Sequence, residues 1–186
     1  MAERTTGPGA GERDGAARIA GSGASLDVRP AAVDDAPAIC RIYNQGIEDR
    51  IATLETELRT PAERREWMAA RGPRHPVIVA ECDGVVVGWA SLNRFNPRPA
   101  YDHVADLSVY VERQWRGRGV GRRLLERVVE AGRSLGYHKI VLAAFPFNTA
   151  GVALYERLGF VAVGVYREQG MLDERWVDVI VMERRL

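Results

Sequence analysis

The stretch Gln114-Trp115-Arg116-Gly117-Arg118-Gly119-Val120-Gly121-Arg122-Arg123-Leu124-Leu125 decides how this chain is read. Three glycines alternate with bulkier residues and lead into a run whose apolar positions, Leu124, Leu125, Val128 and Val129, repeat at helical spacing. Upstream, Val104 to Val111 reads as a strand, so the glycines occupy a strand-to-helix junction. The first amides of a helix have no partner within it and carry the positive end of its dipole. Glycine lets the main chain approach an anion closely, and a pyrophosphate is the natural occupant of such a junction. Arg116, Arg118, Arg122 and Arg123 add positive charge. No Gly-Lys-Ser/Thr follows the glycines, which excludes a P-loop. A dinucleotide fingerprint would need the first strand of a parallel unit and an acidic residue about 20 residues on, but this loop lies past the middle of the chain. For the loop taken alone, a plain glycine turn into a helix stays open as the other reading.

Working outward, Leu26 to Pro30 reads as a short strand, followed by a helix capped by Asp34 or Asp35 with Ile39, Ile42, Tyr43 and Ile47 on its apolar face. Residues 48–57 break that period as a loop. Thr60-Pro61-Ala62-Glu63 is a helix start with a capping box, and Gly72-Pro73 stops the helix near Arg71. Pro76 to Glu81 and Val85 to Leu92 are strands joined at Asp83-Gly84, a hairpin signal. Pro97 and Pro99 make residues 93–102 a loop. Beyond the long helix, from about Gly119 to Leu135, come a buried strand, Lys139 to Ala144, and a helix from Asn148 to about Leu158. Two strands, Val161 to Tyr166 and Trp176 to Met182, close the chain. The order β-α-α-β-β-β-α-β-α-β-β describes an α/β (α+β) domain. Its mixed, mostly antiparallel central sheet has about seven strands flanked by about four helices. Residues 1–25, rich in glycine and alanine, are expected to be a disordered leader, and 26–186 to form one domain.

The composition, 46% apolar and 27% charged with net charge +1, is that of a globular protein and offers no field for nucleic acid. Nearly all its cations are arginine, Lys139 being the single lysine. No stretch approaches the ~20 apolar residues of a membrane span, so no membrane partner is expected. Cys40 and Cys82 stand apart from any Cys/His cluster, which reads as two reduced, buried thiols, no metal site and a cytoplasmic protein.

The glycine loop resembles a signature of the GNAT acetyltransferase superfamily: arginine or glutamine, two residues, glycine, one residue, then glycine or alanine, here Arg116, Gly119 and Gly121. About thirty residues later, Asn148-Thr149-Ala150-Gly151-Val152-Ala153-Leu154-Tyr155-Glu156-Arg157-Leu158-Gly159-Phe160 resembles the second signature of that superfamily. The resemblance covers roughly residues 26–186 and implies acetyl-CoA wedged where strands Val104–Val111 and Lys139–Ala144 splay apart. Backbone groups of Val109, Tyr110 and Val111 would pair with the pantetheine arm. Amides of Gly117, Arg118, Gly119, Val120, Gly121 and Arg122 would hold the pyrophosphate. Asn148 would both cap its helix and meet the pantetheine arm, and Arg157 would approach the nucleotide end.

Acetylating an amine with a thioester requires that the amine lose a proton, that the oxyanion be stabilised, here by an N–H near Tyr110, and that the leaving thiolate be protonated. Tyr155 falls at the superfamily's general-acid position; a core tyrosine on an amphipathic helix is the other reading. Asp106, an acid inside the apolar strand Val104 to Val111, is costly to bury unless paired or functional. It is either the base or a structural or substrate-binding carboxylate. That segment resembles the phosphinothricin and arsinothricin N-acetyltransferases, which carry glutamate here and belong to a subgroup that includes the methionine sulfoximine acetyltransferases; the shorter aspartate favours relay through a water. Tyr43 to Thr56 resembles the same subgroup's substrate-side loop, in which Glu48 and Glu55 are candidates for meeting an ammonium. Asn96, Arg98, Asp106, Leu107 and Ser108 fall where that subgroup binds its acceptor, Arg98 being suited to gripping a carboxylate or phosphinate. The resemblance implies an N-acetyltransferase for a small amino-acid-like acceptor, and a homodimer. Acetylation of a peptide N-terminus or another amine, and a non-catalytic acyl-CoA sensor, stay open.

Overall fold

The structure, a computed structural model, describes residues 25–186, so the expected leader lies outside the described residues except for Ser25. The elements are β1 (Leu26–Pro30), α1 (Ala36–Glu48), α2 (Pro61–Ala69), β2 (Val77–Cys82), β3 (Val85–Arg94), β4 (Val104–Val111), α3 (Val120–Ser134), β5 (Lys139–Ala144), α4 (Thr149–Arg157), β6 (Val161–Leu172) and β7 (Arg175–Arg185). The seven strands form one sheet in the order β1-β2-β3-β4-β5-β7-β6. Among the described residues, only β4 and β5 run parallel. The expected mixed sheet with four helices is therefore what forms.

Strand alternation sorts the sheet into two faces. On one, Ala90, Leu92, Ala105, Leu107, Ile140 and Leu142 pack with Val120, Leu124, Leu125, Val128 and Val129 of α3. On the other, Val79 and Trp89 pack with Ile39, Ile42, Tyr43 and Ile47 of α1. Gly88 allows α3 to lie close to β3: a Cβ there would stand 3.0 Å from side-chain atoms of both Leu124 and Val120. Cys40 and Cys82 are buried and unpaired. Across the β5–β7 pairing, Lys139 donates to Glu183 at 2.7 Å.

Asn93 and Arg94, expected in a loop, extend β3, and two further details depart from the sequence reading. Asp35 does not cap α1. Its carboxylate accepts from the Ala32 N–H at 2.7 Å and from Arg29 at 2.7 and 3.0 Å, while Arg29 also holds Glu81. The aspartate thus ties β1 to the turn before α1, and the arginine extends that link to β2. The last two strands are also longer than expected. Polar Arg167, Glu168 and Gln169 read as a strand end, but they form a bulge between Tyr166 and Gly170. Asp178 of β7 satisfies the bulge by accepting from the Glu168 N–H at 2.9 Å and from Arg167 at 2.6 Å. Pairing resumes at Gly170 opposite Val177.

Candidate active site

The parallel pairing of β4 with β5 covers only Val104–Asp106 against Lys139–Val141. From Leu107 onward β4 keeps its bonds to β3 but, among the described residues, has no strand on its other side. A wedge therefore opens beside Leu107, Ser108, Val109, Tyr110 and Val111, the segment expected to receive the pantetheine arm. At the mouth of the wedge, Gly117 and Gly119 adopt φ of +75° and +84°, which a side chain would strain, and a Cβ at either would meet nothing within 4 Å. Arg123 makes the first bond of α3, to the Gly119 carbonyl at 3.2 Å, so the amides of Val120, Gly121 and Arg122 precede the ladder. Gly121 has a packing reason as well, since a Cβ there would stand 3.1 Å from Leu154 of α4. This cradle fits a diphosphate held by main chain.

The arginines of the loop are less free than their sequence suggests. The Arg116 guanidinium donates to the Val111 carbonyl at 3.2 Å and to Asp49 at 2.5 Å, and Arg113 holds the same aspartate at 2.7 Å. Those two guanidinium groups keep the Asp49 carboxyl below its ordinary value, Arg113 most strongly. Arg122 pairs with Glu126 at 2.7 Å, and Arg118 lies 5.4 Å from the Trp115 ring. Arg116 therefore fastens the loop to the end of α1, which removes it from the charges open to an anion.

Asp106, Ser108 and Tyr110 alternate onto the face covered by α1 and α2, where they line a cleft of about 420 Å3. Its other walls are Tyr43, Glu55, Arg59, Glu63, Arg64, Trp67, Trp89 and Asn93. Asn93 organises it: its amide Nδ2 donates to Asp106 Oδ2 at 3.1 Å and to Ser108 Oγ at 3.0 Å. Its oxygen accepts from Arg71 and from fully buried Ser91, both at 3.0 Å. An arginine can only donate, so Arg71 fixes the amide's orientation and points its NH2 at the carboxylate. Burial pushes the Asp106 carboxyl above its ordinary value, and the Asn93 hydrogen bond opposes that shift. Burial likewise pushes the Arg71 guanidinium down to about 10, which leaves it charged at neutral pH.

Tyr110 stacks on Trp89 with ring centroids 4.8 Å apart and meets Tyr43 edge-on at 4.9 Å. Its hydroxyl is pushed well up by burial and further by the Tyr43 and Tyr155 phenols nearby. Tyr155, half-buried on α4, packs against Phe160 at 6.0 Å, and burial pushes its hydroxyl up to about 12. At neutral pH it keeps its proton. The packing and the retained proton accommodate both a core role and an acid role.

The other expected residues are more scattered. The side chains of Leu107, Val109 and Val111 pack toward α3, leaving only their main chain to a ligand. Asn148 caps α4 by accepting from the Gly151 N–H at 3.1 Å and donates to the Ile51 carbonyl at 3.2 Å. Arg157 is exposed. Asn96 accepts from the Arg98 N–H at 3.0 Å, while exposed Arg98 is not among the residues that line the cleft. Glu55 lines it and is paired with Arg59 at 2.7 Å; Glu48 is exposed and pairs with Arg113. Sequence reasoning missed Asn93, Ser91, Arg71, Arg64, Trp67 and Trp89. The signal present was Trp89, Ser91 and Asn93 at period two on one strand face, an aromatic and two polar groups where a buried face should be aliphatic.

A sequence model of the Acetyltransferase (GNAT) family matches residues 39–160, and the chain belongs to that family. It is an N-acetyltransferase by that membership and by its relatives. The L-methionine sulfoximine/L-methionine sulfone acetyltransferase of Pseudomonas aeruginosa is 33% identical over 87% of this chain and 95% of its own length. The phosphinothricin N-acetyltransferase of Streptomyces viridochromogenes is 32% identical over 86% and 87%. Among solved structures, a phosphinothricin acetyltransferase from Sinorhizobium meliloti in complex with acetyl-CoA superposes with TM-score 0.83 at 28% identity, over 87% of this chain and 88% of that one. A ribosomal-protein-alanine N-acetyltransferase from Brucella melitensis superposes with TM-score 0.84 at 35% identity, over 87% and 100%.

Proposed function

We propose that this chain acetylates the α-amino group of a small amino-acid analogue, with L-phosphinothricin, arsinothricin and methionine sulfoximine as the acceptors to test first, a reaction that would detoxify them. The observation that carries the reading is Asp106. It is a carboxylate with a raised pKa, oriented by Asn93, at the point where β4 leaves β5 and in a cleft of amino-acid size. The relatives named above, which act on such compounds by name, support it.

Acetyl-CoA, when bound, supplies the acetyl thioester. The main chain of Val109 and Val111 would offer its edge groups to the pantetheine arm, while Tyr110 between them pairs with Trp89 of β3; the amides from Gly117 to Arg122 would hold the diphosphate, with Asn148 and Arg157 as further coenzyme contacts. Asp106 takes the ammonium proton through a water, and its raised pKa makes it a stronger base than a solvated aspartate. A main-chain N–H near Tyr110 meets the negative charge that develops on the acyl oxygen. Tyr155, protonated at working pH, returns a proton to the departing sulfur. Ser108 lines the acceptor side of the cleft, whereas Leu107, Asn96 and Arg98 stand outside that lining and would reach an acceptor only at its edge.

We further assign a homodimer in the cytoplasm. The edge strand β6 leaves Val161 61%, Val163 60% and Tyr166 59% exposed, and Trp176 of β7, opposite Met171 further along the same hairpin, is 59% exposed. Among the described residues no helix is long and apolar enough to cross a membrane.

Thiol release from acetyl-CoA, measured with the three amino acids and with a panel of peptides, tests the assignment. Turnover of one or more amino acids above every peptide is expected. Preference for a peptide would replace this reading with acetylation of a protein N-terminus, closer to the activity for which the Brucella protein is named. Coenzyme binding without turnover of any amine would make the chain a sensor.

A further inference from the structure

The cleft holds a charge that the transfer chemistry does not use. Arg64 is 8% exposed, deep for a cation, and its guanidinium carbon lies 4.3 Å from the centre of the Tyr43 ring, 4.8 Å from Trp67 and 5.9 Å from Trp89. Aromatic faces attract a cation but provide no lone pair for its N–H groups. Among the described residues its Nε is buried with no hydrogen-bond partner. The two glutamates that share the cleft are engaged elsewhere. Glu55 pairs with Arg59, and Glu63 accepts from the Thr60 N–H and hydroxyl at 2.6 and 2.8 Å. The Trp89 indole N–H, on a side chain 1% exposed, is a second buried donor in the same wall with no acceptor among the described residues. Two donor-only groups left unpaired at one place call for an acceptor that arrives from outside, and a buried guanidinium calls for a negative one.

The position of this pair relative to Asp106 gives the ligand its polarity. Trp89 stands opposite Tyr110 and Asn93 opposite Asp106, four residues apart along β3 and β4. Arg64 on α2 sits over the Trp89 end, and Arg71, just past α2, over the Asn93 end. The cationic box and the carboxylate therefore mark opposite ends of one cleft of about 420 Å3.

We propose that Arg64 and the Trp89 indole N–H form a binding site for an oxyanion at the end of the acceptor remote from its amine, a phosphinate or carboxylate. The enzyme thereby selects acceptors that are anionic at that end over neutral isosteres. The inference rests on the amino-acid reading above and sharpens it, because phosphinothricin carries a negative charge where methionine sulfone of similar shape carries none.

The test compares L-phosphinothricin with L-methionine sulfone in the wild-type protein and in Arg64→Met. The ratio of their kcat/KM values should fall ~10- to 100-fold in the variant, the scale of a lost hydrogen bond between charged groups. A ratio that does not move overturns the proposal. Equilibrium binding, read by the fluorescence of Trp67 and Trp89, keeps the two claims separable. If neither compound is acetylated but the wild-type protein still binds the anionic one at least ~10-fold tighter, in line with a charged hydrogen bond, the site stands and the acetylation reading falls. Equal affinity of the wild-type protein for the two compounds overturns the site, whether or not Arg64→Met folds.

Discussion

Asp106 is an ionisable group on an otherwise apolar strand, and in the fold it faces a cleft and accepts from the Asn93 amide at 3.1 Å. Its raised pKa has consequences of opposite sign for stability and activity. Between the ordinary carboxyl value and its raised value in the fold, the native state holds the extra proton, so this group's contribution to stability falls as pH rises through that window. Asp106→Asn removes the charge and that cost. At neutral pH the variant should melt no lower than the parent in a thermal scan while kcat drops ~10²-fold or more. Unaltered kcat across the pH range would retire the residue as base. Asn93 offers the complementary prediction. Its hydrogen bond holds the Asp106 pKa down, so Asn93→Leu should move the acidic limb of kcat/KM to higher pH, seen in a pH–rate profile. Asn93 was not legible beforehand, because Asn-Arg-Phe-Asn-Pro reads as the start of a loop. Arg64 was hidden for a similar reason: followed by Arg65 and Glu66, it looks like any solvated arginine on a helix, and only the packing of α2 on Trp89 turns it inward.

At the scale of elements, local chemistry was a reliable guide wherever it is self-contained. The capping box is one such case: the Glu63 N–H donates to Thr60 Oγ1 at 3.2 Å and the Thr60 N–H to Glu63 at 2.6 Å. Thr60→Ala should cost about 1 kcal/mol and lower Tm by roughly 2–4 °C for a domain of this size. Because α2 brings Arg64 and Trp67 to the cleft, the same change should raise KM for the acceptor more than for acetyl-CoA. Equal shifts in steady-state assays would show that α2 serves the fold alone. The lengths of β6 and β7 were not legible, since Asp178 rescues the bulge from another strand and no local pattern announces that.

For the whole molecule, element order implied a mixed sheet, but not which strands would be neighbours. The placement of β7 between β5 and β6, and the short pairing of β4 with β5 that opens the wedge beside Leu107 to Val111, are long-range outcomes of packing on both faces. The same topology leaves β6 at an edge with its valines uncovered, a surface that ordinarily pairs or aggregates. Val163→Glu should convert a dimer to monomer in sedimentation or light scattering; a wild-type protein that runs as a monomer would remove that assignment.

The Lys139–Glu183 bridge has a consequence for how the protein lives with its own reagent. Lys139 is the single lysine, and its ammonium is held by a carboxylate at 2.7 Å across two strands. An acyl donor steeped around this chain would find no unclaimed ε-amine on which to spend itself. Acylation of lysine side chains, a common background when thioesters meet proteins, is confined here to one guarded nitrogen.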